Sequence, residues 1–445
     1  MKSRGFIDAE VVRGQDFDLP EVEEWLGEFR NFEKKPSAAM LGLERVRVMT
    51  EYFGRPERAC RCLHVAGSKG KGTIVASVAA MLTAAGKRVG VYMSPHILHF
   101  TERVRSGEGA FDRNIYMRAF EELKKGVEEM VLRGELRREE VTWYELVTVF
   151  AMLVFREARV EWAVYEVGMG GRLDATNVIL PEAVGMGVIE LEHTEFLGDT
   201  VAKIAAEKAG VFKAGVPIYS VGQVKEARGV FAQKVREVGA EIEYVEGEDD
   251  LEEDLEVARK MVRRVCSEVS EEEMARGLAG VKLMGRYEKV ELRGVGAGFD
   301  LDFGGVPYVL MDGAHTEESV RVVLERMKRD ESLGLGEARR AVLVFACARD
   351  KRVEEMAREI VRSGLFERVF LTRPGEGKEA DLPRAERAFR EAMGELAEFR
   401  EALEVEEDYE EMIGRAFAKA GELGVPVVVL GSFYLVGEVK KKLLI

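Results

Sequence analysis

The sequence predicts an α/β protein: a P-loop-type, mostly parallel sheet covered by helices, followed by a smaller α/β unit. Three observations point there. A short apolar run, 62–66, enters the stretch Gly67-Ser68-Lys69-Gly70-Lys71-Gly72-Thr73, and a segment of helical length and composition, 74–82, leaves it. Similar apolar runs recur between longer amphipathic ones, the pattern of β–α–β units in a parallel sheet. Near Leu283 that alternation restarts, so the domains are read as 1–283 and 284–445.

Bulk composition narrows the function classes. At 445 residues and 47% hydrophobic, the chain can build two or three domains with ample cores. Its formal charge of −15 lacks the basic field of a dedicated nucleic-acid binder. No apolar run reaches the length of a membrane span. Cys60, Cys62, Cys266 and Cys347 form neither a zinc pattern nor an easy disulfide, so reduced structural thiols are expected. Residues 1–10 have no apolar h-region and already carry acids, unlike a secretory signal or transit peptide. The expectation is a cytoplasmic monomer, with a mitochondrial form from another start as the alternative.

Taken in order, 21–32 places Trp25, Leu26 and Phe29 on one helical face, and 41–53 is a second helix closed by Gly54 and Pro56. The loop helix ends at Gly86, and 88–93 is the next strand. Residues 105–115 read as loop, 115–132 as helix, the charged stretch to Glu140 as a solvated connector, and 143–158 as a buried helix. Strand 162–167 opens a second glycine-rich loop, Gly168-Met169-Gly170-Gly171-Arg172-Leu173-Asp174. Strands 183–189 and 216–221 flank a helix at 201–212, and the acid-rich 245–254 reads as a solvated loop. In the second unit 306–310, 341–346, 368–371 and 425–430 are strands. The first of them feeds Asp312-Gly313-Ala314-His315 and a helix to Met327.

Candidate chemistry lies where strands end, because α/β sheets bind ligands beyond the carboxyl ends of their strands. In the glycine loop, backbone N–H groups can surround phosphate oxygens, Lys71 can reach the outer phosphates and Thr73 can coordinate Mg²⁺. The spacing departs from the usual phosphate-loop form, since Gly67 comes late and Gly72 separates Lys71 from Thr73. A plain strand-to-helix turn is the competing reading. Glu166 is either a Mg²⁺ ligand or a structural acid receiving N–H groups from 168–171. His193 is either a member of the same rim or a hydrogen-bonded structural histidine, and its nitrogen is an unusual Mg²⁺ ligand. Lys208, among Ala205, Ala206, Ala209 and Gly210, is either an amine beside the site or a snorkelling surface lysine. Asp312 and His315 either hold a ribose or phosphate, or cap the helix that follows. Arg286 is either a phosphate-neutralising residue or part of a surface linker.

Five motifs in order resemble the folylpolyglutamate synthase and dihydrofolate synthase family, within the Mur-type ATP-dependent amide ligases. They are HVAGSKGKGT at 64–73, SPHILHFTERV at 94–104, EVGMGGRLDATNVI at 166–179, EHTEFLGDTVAKIAAEKAGVFKAGVP at 192–217 and LMDGAHTEESV at 310–320. The stretch LGLERVRVMTEYFG at 41–54, Gly285-Arg286 and Gly431-Ser432-Phe433 are similar to it too. The resemblance covers most of the chain from about residue 20.

The resemblance implies an ATP-binding P-loop domain and a smaller Rossmann-like ligase domain that adds nucleotide and glutamate contacts. It implies a carbon–nitrogen ligase of the tetrahydrofolate:L-glutamate type. A folate carboxylate is phosphorylated by MgATP, and the amine of L-glutamate then displaces phosphate from the acyl phosphate. Gly67, Ser68, Lys69, Gly70, Lys71, Gly72 and Thr73 would hold the phosphates. Thr73, Ser94, Glu166 and His193 would gather at two Mg²⁺ sites, joined by Lys208 if it is carbamylated. Lys71, Glu166, His193 and Lys208 would be catalytic. Arg286, Asp312 and His315 would approach the nucleotide from the second domain, so that the domains must close. Ser94, Pro95, His96 and Phe100 would face the folate.

Some positions depart from the common bacterial pattern. Ser68-Lys69 stands where Thr-Asn is frequent, and Thr316 where Asn is frequent, whereas GGRLDATN and Tyr144-Glu145 look bacterial. The adenine-contacting Asn has no clear counterpart, with Asp254 nearby. The leading acceptor is a reduced folate; dihydropteroate, or both, is the alternative. A non-catalytic nucleotide-binding relative is the reading from another class. The joint presence of Lys71, Thr73, Glu166, His193, Lys208 and Asp312 speaks against it.

Overall fold

The computed structural model describes residues 16–31, 42–281, 283–292, 304–335, 340–375, 379–394 and 402–444. Residues 1–10, Phe32 and Leu41, on which three of the expectations above fall, lie outside them. The described residues form two compact units divided after Val281.

The larger unit holds β1 (Arg61–Ala66), β2 (Val89–Tyr92), β3 (Val104–Ser106), β4 (Trp162–Glu166), β5 (Ala183–Met186), β6 (Pro217–Ser220) and β7 (Glu241–Tyr244). Their order is β3-β2-β4-β1-β5-β6-β7, and only the β2–β3 pair is antiparallel. The central strands are apolar throughout because both faces are covered. On β4, Trp162 and Val164 join a core with Ile74 and Val78 of helix Lys71–Ala84. The alternate residues Ala163 and Tyr165 join a second core with Val147 and Phe150 of helix Trp143–Glu157. Gly90 lets that helix approach, since a Cβ there would lie 2.6 Å from the Phe155 ring.

One polar residue in this sheet has a measurable consequence. His64 on β1 is fully buried, with Nε2 2.8 Å from Thr176 Oγ1. Burial, reinforced by the charge of Lys213, pulls its imidazole down to about 3. An unfolded histidine titrates near 6.5, so between those values the unfolded chain binds the extra proton and stability falls as pH drops. Each pH unit in that window costs about 1.4 kcal/mol. The variant His64→Gln is expected to lose about one proton's worth of slope, read by urea unfolding at several pH values between 4 and 6.5. An unchanged slope removes His64 as the cause.

The smaller unit holds β8 (Glu288–Glu291), β9 (Tyr308–Met311), β10 (Ala341–Phe345), β11 (Phe366–Leu371), β12 (Leu403–Val405) and β13 (Val427–Leu430). They run β12-β11-β10-β13-β9-β8, all parallel but for β8–β9. Helices Glu317–Arg329, Val353–Ser363, Leu382–Gly394, Tyr409–Leu423 and Phe433–Leu444 alternate with the strands.

Observed elements are shorter than the expected ones at several ends. The first helix is Pro20–Gly27, opened by a proline in its first turn, and the second is Glu44–Tyr52. The helix expected over 201–212 is α-helical over Val201–Lys208 and finishes as a 3₁₀ turn over Ala209–Val211. The acidic stretch 245–254 requires a correction. Asp249 caps helix Asp250–Val265 through the Glu252 N–H, and first-turn acids are favoured by the helix dipole. Asp254, read as part of a solvated loop, is buried.

Candidate active site

Four strand ends lie side by side. The order β2-β4-β1-β5 and the pairings Tyr92↔Tyr165, Val65↔Glu166 and Ala66↔Met186 bring Ser94, Glu166, Gly67 and Gly187 to one carboxyl-end rim.

The glycine loop leaves β1 there. Gly67 and Gly70 have φ of 149° and 80°, in the range that favours glycine. Space excludes side chains as well: a Cβ on Gly67 would lie 2.9 Å from Gly187 Cα, and one on Gly70 2.2 Å from an Asp254 carboxylate oxygen. Helix Lys71–Ala84 starts directly after Gly70, so its first N–H groups and positive dipole end face the loop. Lys71 Nζ folds back to donate to the carbonyls of Gly67 (3.0 Å) and Ser68 (3.4 Å). Thr73 sits half-buried in the first helical turn. Ser68 and Lys69 latch the loop to the segment beyond β5. The Ser68 N–H donates to Val188 O (2.8 Å), its Oγ exchanges hydrogen bonds with the backbone of Glu190, and Lys69 pairs with the Glu190 carboxylate at 2.6 Å.

Glu166 ends β4 almost fully buried, and its carboxylate accepts the Ser94 N–H at 2.9 Å. The Gly168 and Met169 N–H groups of the second glycine loop turn to another carboxylate. Asp174 takes both at 3.0 Å, and burial pushes the Asp174 carboxyl up. Two of the N–H groups that the structural account of Glu166 called on therefore belong to Asp174.

Lys208 is buried rather than snorkelling, with 1% of its side chain exposed. Its Nζ donates to Gly67 O at 2.8 Å and meets Glu192 Oε1 at 2.7 Å. Burial pushes the Lys208 amine down while Glu192 pulls it back. For Glu192, burial is outweighed by the charges of Lys208, Lys71 and His193, which leave its carboxyl at about 2. His193 is exposed, in left-handed backbone geometry, 4.0 Å from the Glu192 carboxylate. Glu192 was not among the sequence candidates. Its only signal was an acid beside His193 after a strand, and its pairing with Lys208 is invisible in one dimension.

On the other side of the rim, Ser94, Pro95 and His96 are partly exposed, whereas Phe100 is in the core against Trp143 and Phe150. Buried Glu102 shapes this loop by accepting the N–H groups of Ile97, Leu98 and His99 at 2.7, 2.8 and 2.7 Å. His96 Nδ1 accepts from Arg103 Nε at 2.6 Å, which leaves the His96 proton on Nε2.

In the smaller unit, Phe433 gathers the other candidates. Arg286 lies 5.2 Å over its ring, the His315 ring is 6.2 Å away, and a Cβ on Gly313 would collide with it. Asp312 accepts the N–H groups of Tyr287 (2.7 Å) and Ala314 (2.8 Å), and burial pushes its carboxyl up. It does not cap the following helix; Thr316 does, through Ser319. His315 Nδ1 donates to Gly313 O at 2.8 Å, which makes Nε2 its acceptor nitrogen.

Among the described residues, no group of three or more His, Cys, Asp or Glu side chains is placed to hold a metal ion alone, and no helix is long and apolar enough to cross a membrane. Residues 306–443 match the family described as dihydrofolate synthetase, C-terminal domain. The chain is 27% identical over 439 residues to dihydrofolate synthetase of Saccharomyces cerevisiae, covering 90% of this chain and 97% of that one. The crystal structure of folylpolyglutamate synthase from Thermotoga maritima superposes with a TM-score of 0.75 at 26% identity, covering 95% and 96% of the two chains. Escherichia coli FolC in complex with ADP gives 0.74 at 25% identity, covering 94% and 96%. Two mostly parallel sheets, a glycine loop at a shared rim and sequence similarity along nearly its whole length make this chain similar to the folylpolyglutamate synthases and dihydrofolate synthases.

Proposed function

We propose that the chain is an ATP-dependent ligase that joins L-glutamate to the carboxylate of a reduced folate, releasing ADP and phosphate. The observation that carries this reading is the meeting of the glycine loop, buried Glu166 and the buried Lys208–Glu192 pair at one strand-end rim. The ADP complex of the E. coli relative supports the nucleotide assignment.

The chemistry has two displacements. A carboxylate oxygen of the folate attacks the γ-phosphorus, and ADP leaves. The amine of glutamate then attacks the acyl carbon, loses a proton and expels phosphate. Phosphorylation turns a poor leaving group into a good one, so the protein's task is positioning, charge neutralisation and exclusion of water. Lys71 would exchange the carbonyls of Gly67 and Ser68 for the outer phosphate oxygens. Helix Lys71–Ala84 would offer its N-terminal N–H groups to the same anion.

Mg²⁺ binds through oxygen and usually arrives with phosphates and water, completed by one or two carboxylates. Thr73, Glu166 and Glu192 on this rim fit that donor set, with Ser94 and His193 alongside. When bound, the ion would withdraw charge from the transferring phosphoryl group. Carbamylation of Lys208 would reverse the charge between Glu192 and the Gly67 carbonyl, which is tolerable only with a cation between them. Arg286, Asp312 and His315 are proposed as nucleotide contacts.

The acceptor has two candidates, because relatives of similar identity carry either name. Product analysis with tetrahydrofolate and dihydropteroate offered separately, each with ATP and labelled glutamate, decides between them. Label in the tetrahydrofolate product is expected. Label in dihydropteroate alone shifts the assignment to dihydrofolate synthase, and label in neither, with no ADP formed, removes the ligase reading.

A further inference from the structure

We propose that Gln223 is a positioning residue that holds the segment bearing Glu190, Glu192 and His193 in register with the phosphate loop. That segment leaves the sheet after Met186, so its backbone groups need partners outside the ladder. Gly187 still bonds through its N–H to Ala66 O at 2.8 Å. Beyond it the carboxamide of Gln223, 8% exposed just after β6, takes over. Gln223 Nε2 donates to Gly187 O at 2.9 Å and to Ser220 Oγ at 3.2 Å, while Oε1 accepts the Ile189 N–H at 3.0 Å.

The two backbone groups it grips flank Val188, whose carbonyl receives the Ser68 N–H of the phosphate loop. From there the chain delivers Glu190 to Lys69 and Glu192 to Lys208. Only a carboxamide presents a donor and an acceptor on one short planar end, and an asparagine is one methylene shorter. Methionine fills similar space and satisfies neither group. A glutamate can still accept from Ile189 but sets a second carboxylate oxygen against the Gly187 carbonyl. The inferred effect on catalysis rests on the ligase reading; the effect on the segment does not.

The test uses the full chain carrying Gln223→Met, Gln223→Glu or Ser220→Ala. In the absence of ligands, amide hydrogen exchange across 188–192 is expected to quicken at least tenfold in both Gln223 variants, with β4 amides unchanged. The Mg²⁺ concentration giving half-maximal tightening of ADP binding, measured by calorimetry, is expected to rise at least fivefold. Ser220→Ala removes a hydroxyl that accepts from Gln223 and donates to Val221 O, leaves the Gly187 and Ile189 bonds of Gln223 in place, and is expected to stay within twofold of the parent in both. Should Gln223→Met fail to fold, Gln223→Glu decides. Unchanged exchange in the Gln223 variants, or equal changes in Ser220→Ala, overturns the proposal. Faster exchange and weaker Mg²⁺ dependence in a protein that ligates no glutamate would leave Gln223's role standing and remove the ligase reading. Normal ligation with unchanged exchange does the reverse.

Discussion

Lys71→Ala is expected to abolish glutamate ligation, by at least a hundredfold to a thousandfold, in a protein that remains folded. A preorganised charge aimed at a developing anion is worth about 3–4 kcal/mol of barrier, and the loop's other lysine, Lys69, is paired with Glu190. Stability should hardly change. Lys71 opens a helix, where a cation opposes the dipole and alanine is the better helix former. Glu166→Ala is expected to be as severe for activity but less benign for the fold. Its carboxylate accepts the Ser94 N–H in a buried place, and an orphaned N–H costs about 1–3 kcal/mol. Glu166→Gln keeps an acceptor there and removes only the charge, so it isolates the chemical role. Ligation assays beside thermal unfolding check all three, and retained ligation in Lys71→Ala or either Glu166 variant removes the proposed mechanism.

The second large effect is at Lys208. Its alanine variant is expected to lose ligation by at least a hundredfold. Glu192 would lose the cation it bonds; breaking a fully buried ion pair costs about 3 kcal/mol or more, and here partial exposure of Glu192 and the charges of Lys71 and His193 soften that loss. The Gly67 carbonyl, on the phosphate loop itself, loses a donor at the same time. If a carbamate on Lys208 is the working group, added short-chain carboxylates are expected to restore part of the activity. Absence of rescue, with an unmodified Lys208 in the intact-mass spectrum, would instead assign the role to the ammonium that bonds Glu192 and Gly67.

Much of the larger unit was legible because its central strands are buried on both faces and therefore run apolar, bounded by glycines. The unread strands, β3, β7, β8 and β12, are all outermost in their sheets. An edge strand is short and often charged: Glu241–Tyr244 alternates acids with Ile242 and Tyr244, and Glu288–Glu291 has three charged residues of four, patterns that also suit loops. The acidic stretch misled for a related reason. Acids in a first helical turn and acids in a solvated loop look alike until the cap at Asp249 is seen.

By itself, the sequence determined the class of fold, the loop at 67–73, the strand-end positions of Glu166 and Asp312, and the family resemblance that ties them together. These depend on local pattern: apolar runs, glycines where φ is positive, and motifs read along one stretch of chain. Tertiary structure alone decided which polar groups meet. It gave the N–H groups of Gly168 and Met169 to Asp174 and that of Ser94 to Glu166. It buried Lys208 against Glu192 and Gly67, set Asp254 behind Gly70, and put Gln223 under the segment after β5. Apart from the Asp174 bonds, which close a single loop, those pairings join residues that lie on different elements and meet only when the sheet assembles. Hydrogen-bond partners on separate elements follow from register and packing, and local composition carries no record of either.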